Sequence, residues 1–136
     1  MKRLKLTLLL TLIVITFSCK EEETKSQFTN KLTFGTSINY NDFTLNGEGS
    51  TFSTTPGNVA YRLESEEDFN GNPVKFVIKK DGATYSTEIF TNNPKPTGHI
   101  FMTTLNYGQA GSYSVSAYIQ KGGSDQIVAS GNFQMN

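Results

Sequence analysis

Tyr113-Ser114-Val115-Ser116-Ala117-Tyr118-Ile119-Gln120 decides the fold. Tyr113, Val115, Ala117 and Ile119 alternate with Ser114, Ser116, Tyr118 and Gln120. Successive side chains of a strand point to opposite faces, so this period of two predicts a strand with one dry and one wet face. The pattern recurs outward in both directions. Val59, Tyr61 and Leu63 alternate with Ala60, Arg62 and Glu64, and Phe76 and Ile78 with Lys75, Val77 and Lys79. Ile127, Ala129 and Phe133 alternate with Val128, Ser130 and Gln134. Weaker strands are expected near residues 32–35, 43–45, 84–90 and 99–105. Clusters of Gly, Asn, Ser and Thr break the chain every ~8 to 15 residues. Asp81-Gly82 has the chemistry of a tight hairpin turn, because both residues tolerate positive φ. Lys121-Gly122-Gly123-Ser124 predicts a second hairpin. No helical period is present. Residues 31–136 therefore predict one all-β domain, an antiparallel two-sheet β-sandwich of about seven to eight strands.

The segment Ala110-Gly111-Ser112-Tyr113-Ser114-Val115 resembles the start of the sixth strand of immunoglobulin-like domains. In that family a turn glycine precedes a tyrosine whose hydroxyl bonds back to the backbone upstream. The chain has no cysteine pair between sheets and no tryptophan, so the resemblance is to bacterial immunoglobulin-like domains rather than to antibody domains. It implies that the loops at residues 65–73 and 121–125 share one end of the sandwich, where such folds carry binding loops.

The N-terminus gives an address. Lys2, Arg3 and Lys5 precede an uncharged, mostly apolar run over residues 6–18. As a helix this run would span roughly 20 Å, short of the ~30 Å of a bilayer core. A basic start, a short apolar core and a small final residue describe a secretory signal peptide. The run ends Thr16-Phe17-Ser18-Cys19, and Cys19 is the chain's one cysteine. This ending resembles a bacterial lipobox: Ser18 fits its pattern, while Thr16 and Phe17 depart from it. The resemblance implies cleavage before Cys19 and acylation of its sulfur. The next residues, Lys20-Glu21-Glu22-Glu23, resemble the export signal of Bacteroidetes surface lipoproteins. That resemblance implies display on the outer face of the outer membrane; the alternative is a charged tether on a periplasm-facing lipoprotein. Residues 1–18 are thus expected to be a signal peptide and 19–30 a lipidated polar tether.

Removal of the signal leaves nine Lys and Arg against twelve Asp and Glu. No basic cluster remains, which argues against nucleic acid as a partner. Lipidation of Cys19 would consume the only thiol, so no disulfide is expected. The expected partners are the membrane, through the lipid anchor, and a protein or glycan.

Catalytic chemistry is sparse. His99 is the only histidine, with no nucleophile motif or second histidine at metal-binding spacing, and it reads as a residue at a strand start. No enzyme activity and no cofactor are expected. The loop with Glu66, Asp68, Asn70 and Asn72 gathers hard oxygen ligands, and Asp125 can approach it from the neighbouring loop. Such oxygens suit Ca²⁺, although the spacing is not that of an EF-hand, and a solvated acidic loop is the alternative. Tyr118 should point outward, with Val77 and Val128 as neighbours. There it could stack on a sugar or anchor a protein, or simply form a cross-strand pair. Phe69 and Tyr107 are expected to be exposed aromatics at loop tips.

Overall fold

The structure is a computed structural model that describes residues 26–136. The expectations for Cys19, Lys20, Glu21, Glu22 and Glu23 lie outside the described residues. The strands are β1 (Lys31–Gly35), β2 (Ser37–Asn39), β3 (Thr44–Asn46), β4 (Thr51–Phe52), β5 (Asn58–Glu64), β6 (Val74–Lys80), β7 (Ala83–Phe90), β8 (Ile100–Asn106), β9 (Gly111–Lys121) and β10 (Ser124–Met135). One sheet has the order β1-β5-β8; the other has β4-β10-β9-β6-β7. Every pairing is antiparallel except that of β4 with β10. The all-β two-sheet sandwich is therefore as expected. The strand count is ten rather than seven or eight, because β2 and β3 form a short separate hairpin and β4 has two residues.

The strong alternating segments build the core. Tyr113, Val115, Ala117 and Ile119 of β9 are all buried, facing Val59, Tyr61 and Leu63 of β5. Aromatic rings fill the gap between the sheets. Phe34 meets Tyr61 edge-on at 5.0 Å, and Tyr113 stacks on Phe133 at 5.2 Å. Where Phe34 crosses β10 the chain carries Gly131. A Cβ there would lie 2.7 Å from the Phe34 ring, closer than van der Waals contact allows. Both expected hairpin turns are present, with Asp81 at φ 50°, Gly82 at 83°, Gly122 at 56° and Gly123 at 81°.

Tyr113 makes the bond expected of it. Its hydroxyl donates to the carbonyl oxygen of Gln109 at 2.9 Å.

Three expectations are corrected. Ile127 is 63% exposed rather than on the dry face. The pairing of β10 with β9 shifts between Ile127 and Ala129, and one inserted residue inverts the in–out parity of everything before it. Val128, expected on the wet face, is partly buried against the core. Phe69 and Tyr107 are not tip aromatics, because both are fully buried. The Phe69 N–H donates to the Gly98 carbonyl at 2.8 Å, drawing the loop inward, and its ring lies 6.3 Å from that of Phe101. The Tyr107 N–H donates to the Gly57 carbonyl at 2.7 Å, and its hydroxyl meets that of Tyr61 inside the core.

The β2–β3 hairpin lies on the outer side of the three-stranded sheet. Arg62 and Met102 face that side together in the β5–β8 register, opposite to the core residues Leu63 and Phe101. The Arg62 guanidinium holds the hairpin tip through a 2.8 Å bond from Nε to the Phe43 carbonyl.

Candidate functional site

The acidic loop and the β9–β10 hairpin do share one end of the sandwich. The Gln120 N–H donates to the Pro73 carbonyl at 2.9 Å, and Lys121 forms an ion pair with Glu67. The expected oxygen ligands do not converge there. Asp68 turns back on its own loop, accepting the Asn70 N–H at 2.7 Å, with Asn70 at φ 50° and Gly71 at 74°. The Asn72 amide donates to the Phe69 carbonyl at 2.9 Å. Glu66 gives its backbone N–H to Asn30 Oδ1 at 3.0 Å. Asp125 is ion-paired to Lys75 and accepts a bond from Gln120 Nε2 at 2.9 Å. Lys75, and then Gln120, hold its carboxyl below the usual carboxylate range. Among the described residues no three His, Cys, Asp or Glu side chains gather as a metal would require.

His99 is used structurally. Its Nδ1 lies 3.0 Å from the Ser65 carbonyl oxygen, and its ring stacks on Phe28 at 4.5 Å, tilted by 7°. Phe28 falls in the stretch expected to be tether, so chain contact with the domain begins before Lys31. The Thr29 N–H also donates to Glu64 Oε1 at 2.9 Å.

Tyr118 faces outward, as expected, on the five-stranded sheet. Its cross-strand neighbours are Lys75 and Ile127, not Val77 and Val128; Val77 lies opposite Ser116. Ile89, Lys75, Tyr118 and Ile127 form one row across β7, β6, β9 and β10. The Lys75 ammonium stands 5.2 Å from the Tyr118 ring centroid, a cation–π contact added to its pairing with Asp125.

Further along the same face the side chains become small and polar. Ser116, Ser114 and Ser112 follow Tyr118 along β9, with Ser130, Asn132 and Gln134 opposite them on β10. They lead into a concavity of about 590 Å³, lined among others by Ser50, Thr51, Asp81, Ser112, Asn132 and Gln134. Ser112 Oγ donates to Gln134 Oε1 at 2.6 Å, and the Ser112 N–H donates to Asp81 Oδ1 at 2.9 Å. Lys80, and then that N–H, hold the Asp81 carboxyl below its ordinary range. Sequence reasoning placed the β9 serines on the wet face but missed the concavity. Its wall is completed by β4, which joins β10 in parallel across more than eighty residues of chain.

At the opposite edge of this sheet, β7 pairs with β6 alone. Glu88 stands opposite the core residue Phe76, so its side chain turns toward the gap between the sheets. It lines a cleft of about 270 Å³ with Ser86, Leu105 and Tyr107. Burial pushes the Tyr61 and Tyr107 hydroxyls well above the ordinary phenol range.

No protein-family model matches this chain, and no curated protein matches it.

Proposed function

We propose that this chain is a non-enzymatic lipoprotein of the outer membrane, held by acylated Cys19 and displayed on the outer face of the cell. Its immunoglobulin-like domain acts as a small binding module. The strand order β1-β5-β8 against β10-β9-β6-β7 and the Tyr113–Gln109 bond support the immunoglobulin-like reading. The signal run, the lipobox-like ending and the Lys-Glu-Glu-Glu stretch support the address. The engagement of His99 by Ser65 and Phe28 supports a role without catalysis.

The observation that carries the binding reading is the outer face of the five-stranded sheet. It offers a concavity lined by hydroxyls, amides and one carboxylate, and a row of serines leading from it to an outward tyrosine. The acidic loop end is the weaker choice, because Asp125, Glu67 and Asp68 already have partners. A second reading follows from the lining itself: an accessory glycan-binding lipoprotein of a nutrient-uptake system. Hydroxyl and amide groups suit a hydroxyl-rich chain, and Tyr118 offers an aromatic face for a sugar ring.

Two experiments test these readings. Cys19→Ala should abolish acylation and remove the protein from the outer-membrane fraction. Replacing Glu21–Glu23 with Ala should keep acylation but reduce labelling of intact cells by an external antibody; unchanged labelling would defeat surface export. Ligand capture from a glycan panel should be lost in Asn132→Leu and weakened in Tyr118→Ala. Capture that survives both but fails on neutralising Glu66 and Asp68 would return the site to the loops.

A further inference from the structure

The tip of the β2–β3 hairpin exposes two aromatic side chains, Tyr40 at 71% and Phe43 at 53%. They flank an apolar notch of about 130 Å³ floored by Pro94, Ile100 and Met102. Phe43 sits at φ 56°, a left-handed conformation that bulky residues rarely adopt. The tip is nevertheless firmly held. Asp42 Oδ1 accepts the Thr44 N–H at 3.1 Å and the Thr44 hydroxyl at 2.6 Å, and Arg62 grips the Phe43 carbonyl.

Their location relative to the tether supplies the second observation. Thr29 donates to Glu64 Oε1 at 2.9 Å; Glu64 Oε2 accepts from Arg62 Nη1 at 2.7 Å; Arg62 Nε donates to the Phe43 carbonyl at 2.8 Å. Phe28 stacks on His99, one residue before Ile100 of the notch. The chain coming from Cys19 thus reaches the domain three hydrogen bonds from the aromatic tip. The covalent length from Cys19 to Phe28 caps their separation at about 30 Å.

We propose that the Tyr40–Phe43 tip is a membrane-contact element: the domain lies on the lipid surface through these two rings, next to the point where its tether arrives. The proposal rests on the lipid anchor read at Cys19. A tyrosine settles at the headgroup level with its hydroxyl in the polar zone, and a phenylalanine buries its ring at the boundary with the acyl chains. Two rings form a weak contact alone, but a short tether makes the encounter intramolecular and raises the effective concentration of the surface. The notch has no charged lining residue to desolvate. The hairpin sits on the outer side of the three-stranded sheet, so docking leaves the polar concavity on the opposite sheet facing away from the membrane.

The chain contains no tryptophan, which makes the test direct. Full-length acylated protein carrying Phe43→Trp, Tyr40→Trp or, as reference, Ile127→Trp is reconstituted into phosphatidylcholine vesicles with brominated acyl chains. Emission from position 43 or 40 should shift to shorter wavelength and lose most of its intensity to the bromines, while position 127 stays unquenched. Equal quenching at positions 43, 40 and 127 in protein that sediments with the vesicles overturns the docking and leaves the anchor standing. A blue shift without bromine quenching overturns it in favour of a second copy or another protein at the tip. Absence of acyl mass at Cys19 overturns both readings together. Two tip positions are used so that a misfolded variant at one does not decide the outcome.

Discussion

The Tyr113 hydroxyl reaches back four residues to the Gln109 carbonyl at 2.9 Å, while its ring lies flat on Phe133. The two contacts separate cleanly by substitution. Tyr113→Phe keeps the stack and loses one hydrogen bond, at a cost of about 1 kcal/mol. Tyr113→Ala also opens a cavity between the sheets and should cost roughly 3–5 kcal/mol. Urea melts of residues 26–136 measure both. A Phe variant as stable as the parent would mean that the corner bond contributes nothing.

Alkali should unfold the domain through two of its six tyrosines. Tyr61 and Tyr107 are held neutral by burial, so their folded pKa values lie above the unfolded value of ~10. Their contribution is fully present below that unfolded value and is lost as pH rises beyond it. Phenolate absorbance should therefore include a late component that appears together with loss of structure. Tyr61→Phe should remove part of that component. Simple titration of all six tyrosines in the folded state would contradict it.

Acid should act through the paired carboxylates. The Thr29 N–H, and then Arg62, hold Glu64 below its ordinary value; Lys75 does so for Asp125 and Lys80 for Asp81. Their folded values lie below the unfolded ones, so this stability is present above about pH 4 to 5 and fades as pH falls further. Glu64→Gln should lower stability at neutral pH by about 1–2 kcal/mol and flatten the acid limb of the pH profile. An acid limb unchanged in this variant would show that Glu64 makes no difference to folding.

Millimolar Ca²⁺ should leave the melting temperature of the domain unmoved. Binding to the native state would raise it by mass action, but Asp68, Asp125 and Glu67 are already bonded to a backbone N–H, Lys75 and Lys121. A rise that disappears in Asp68→Ala would establish a cation site after all.

Much of the sandwich is legible as a period of two. Residues 113–120 and 59–64 are placed on the correct faces because neither run carries an inserted residue; the bulge opposite Tyr118 lies on β10. Ile127 is misplaced because alternation assumes constant parity, and a bulge is an event in the pairing rather than in the hydropathy. Phe69 and Tyr107 look like tip residues because turn formers surround them; backbone bonds to Gly98 and Gly57, distant in sequence, draw both inward. The meeting of the two loops was readable from the inferred strand order. The neutralisation of their carboxylates was not, since Lys75 and Lys121 lie on strands whose register only the fold supplies. The tip aromatics were hidden in the same way. Tyr40 and Phe43 look like strand-forming residues until the hairpin turns them outward.

The inward turn of Glu88 bears on how copies of this protein coexist. β7 leaves one side of its backbone unpaired along eight residues, without lysine or proline to discourage a neighbour. A strand added there would bury a carboxylate beside Phe76 and Leu105 with no cation to meet it. Glu88 thus places an electrostatic cost on pairing two copies edge to edge along β7.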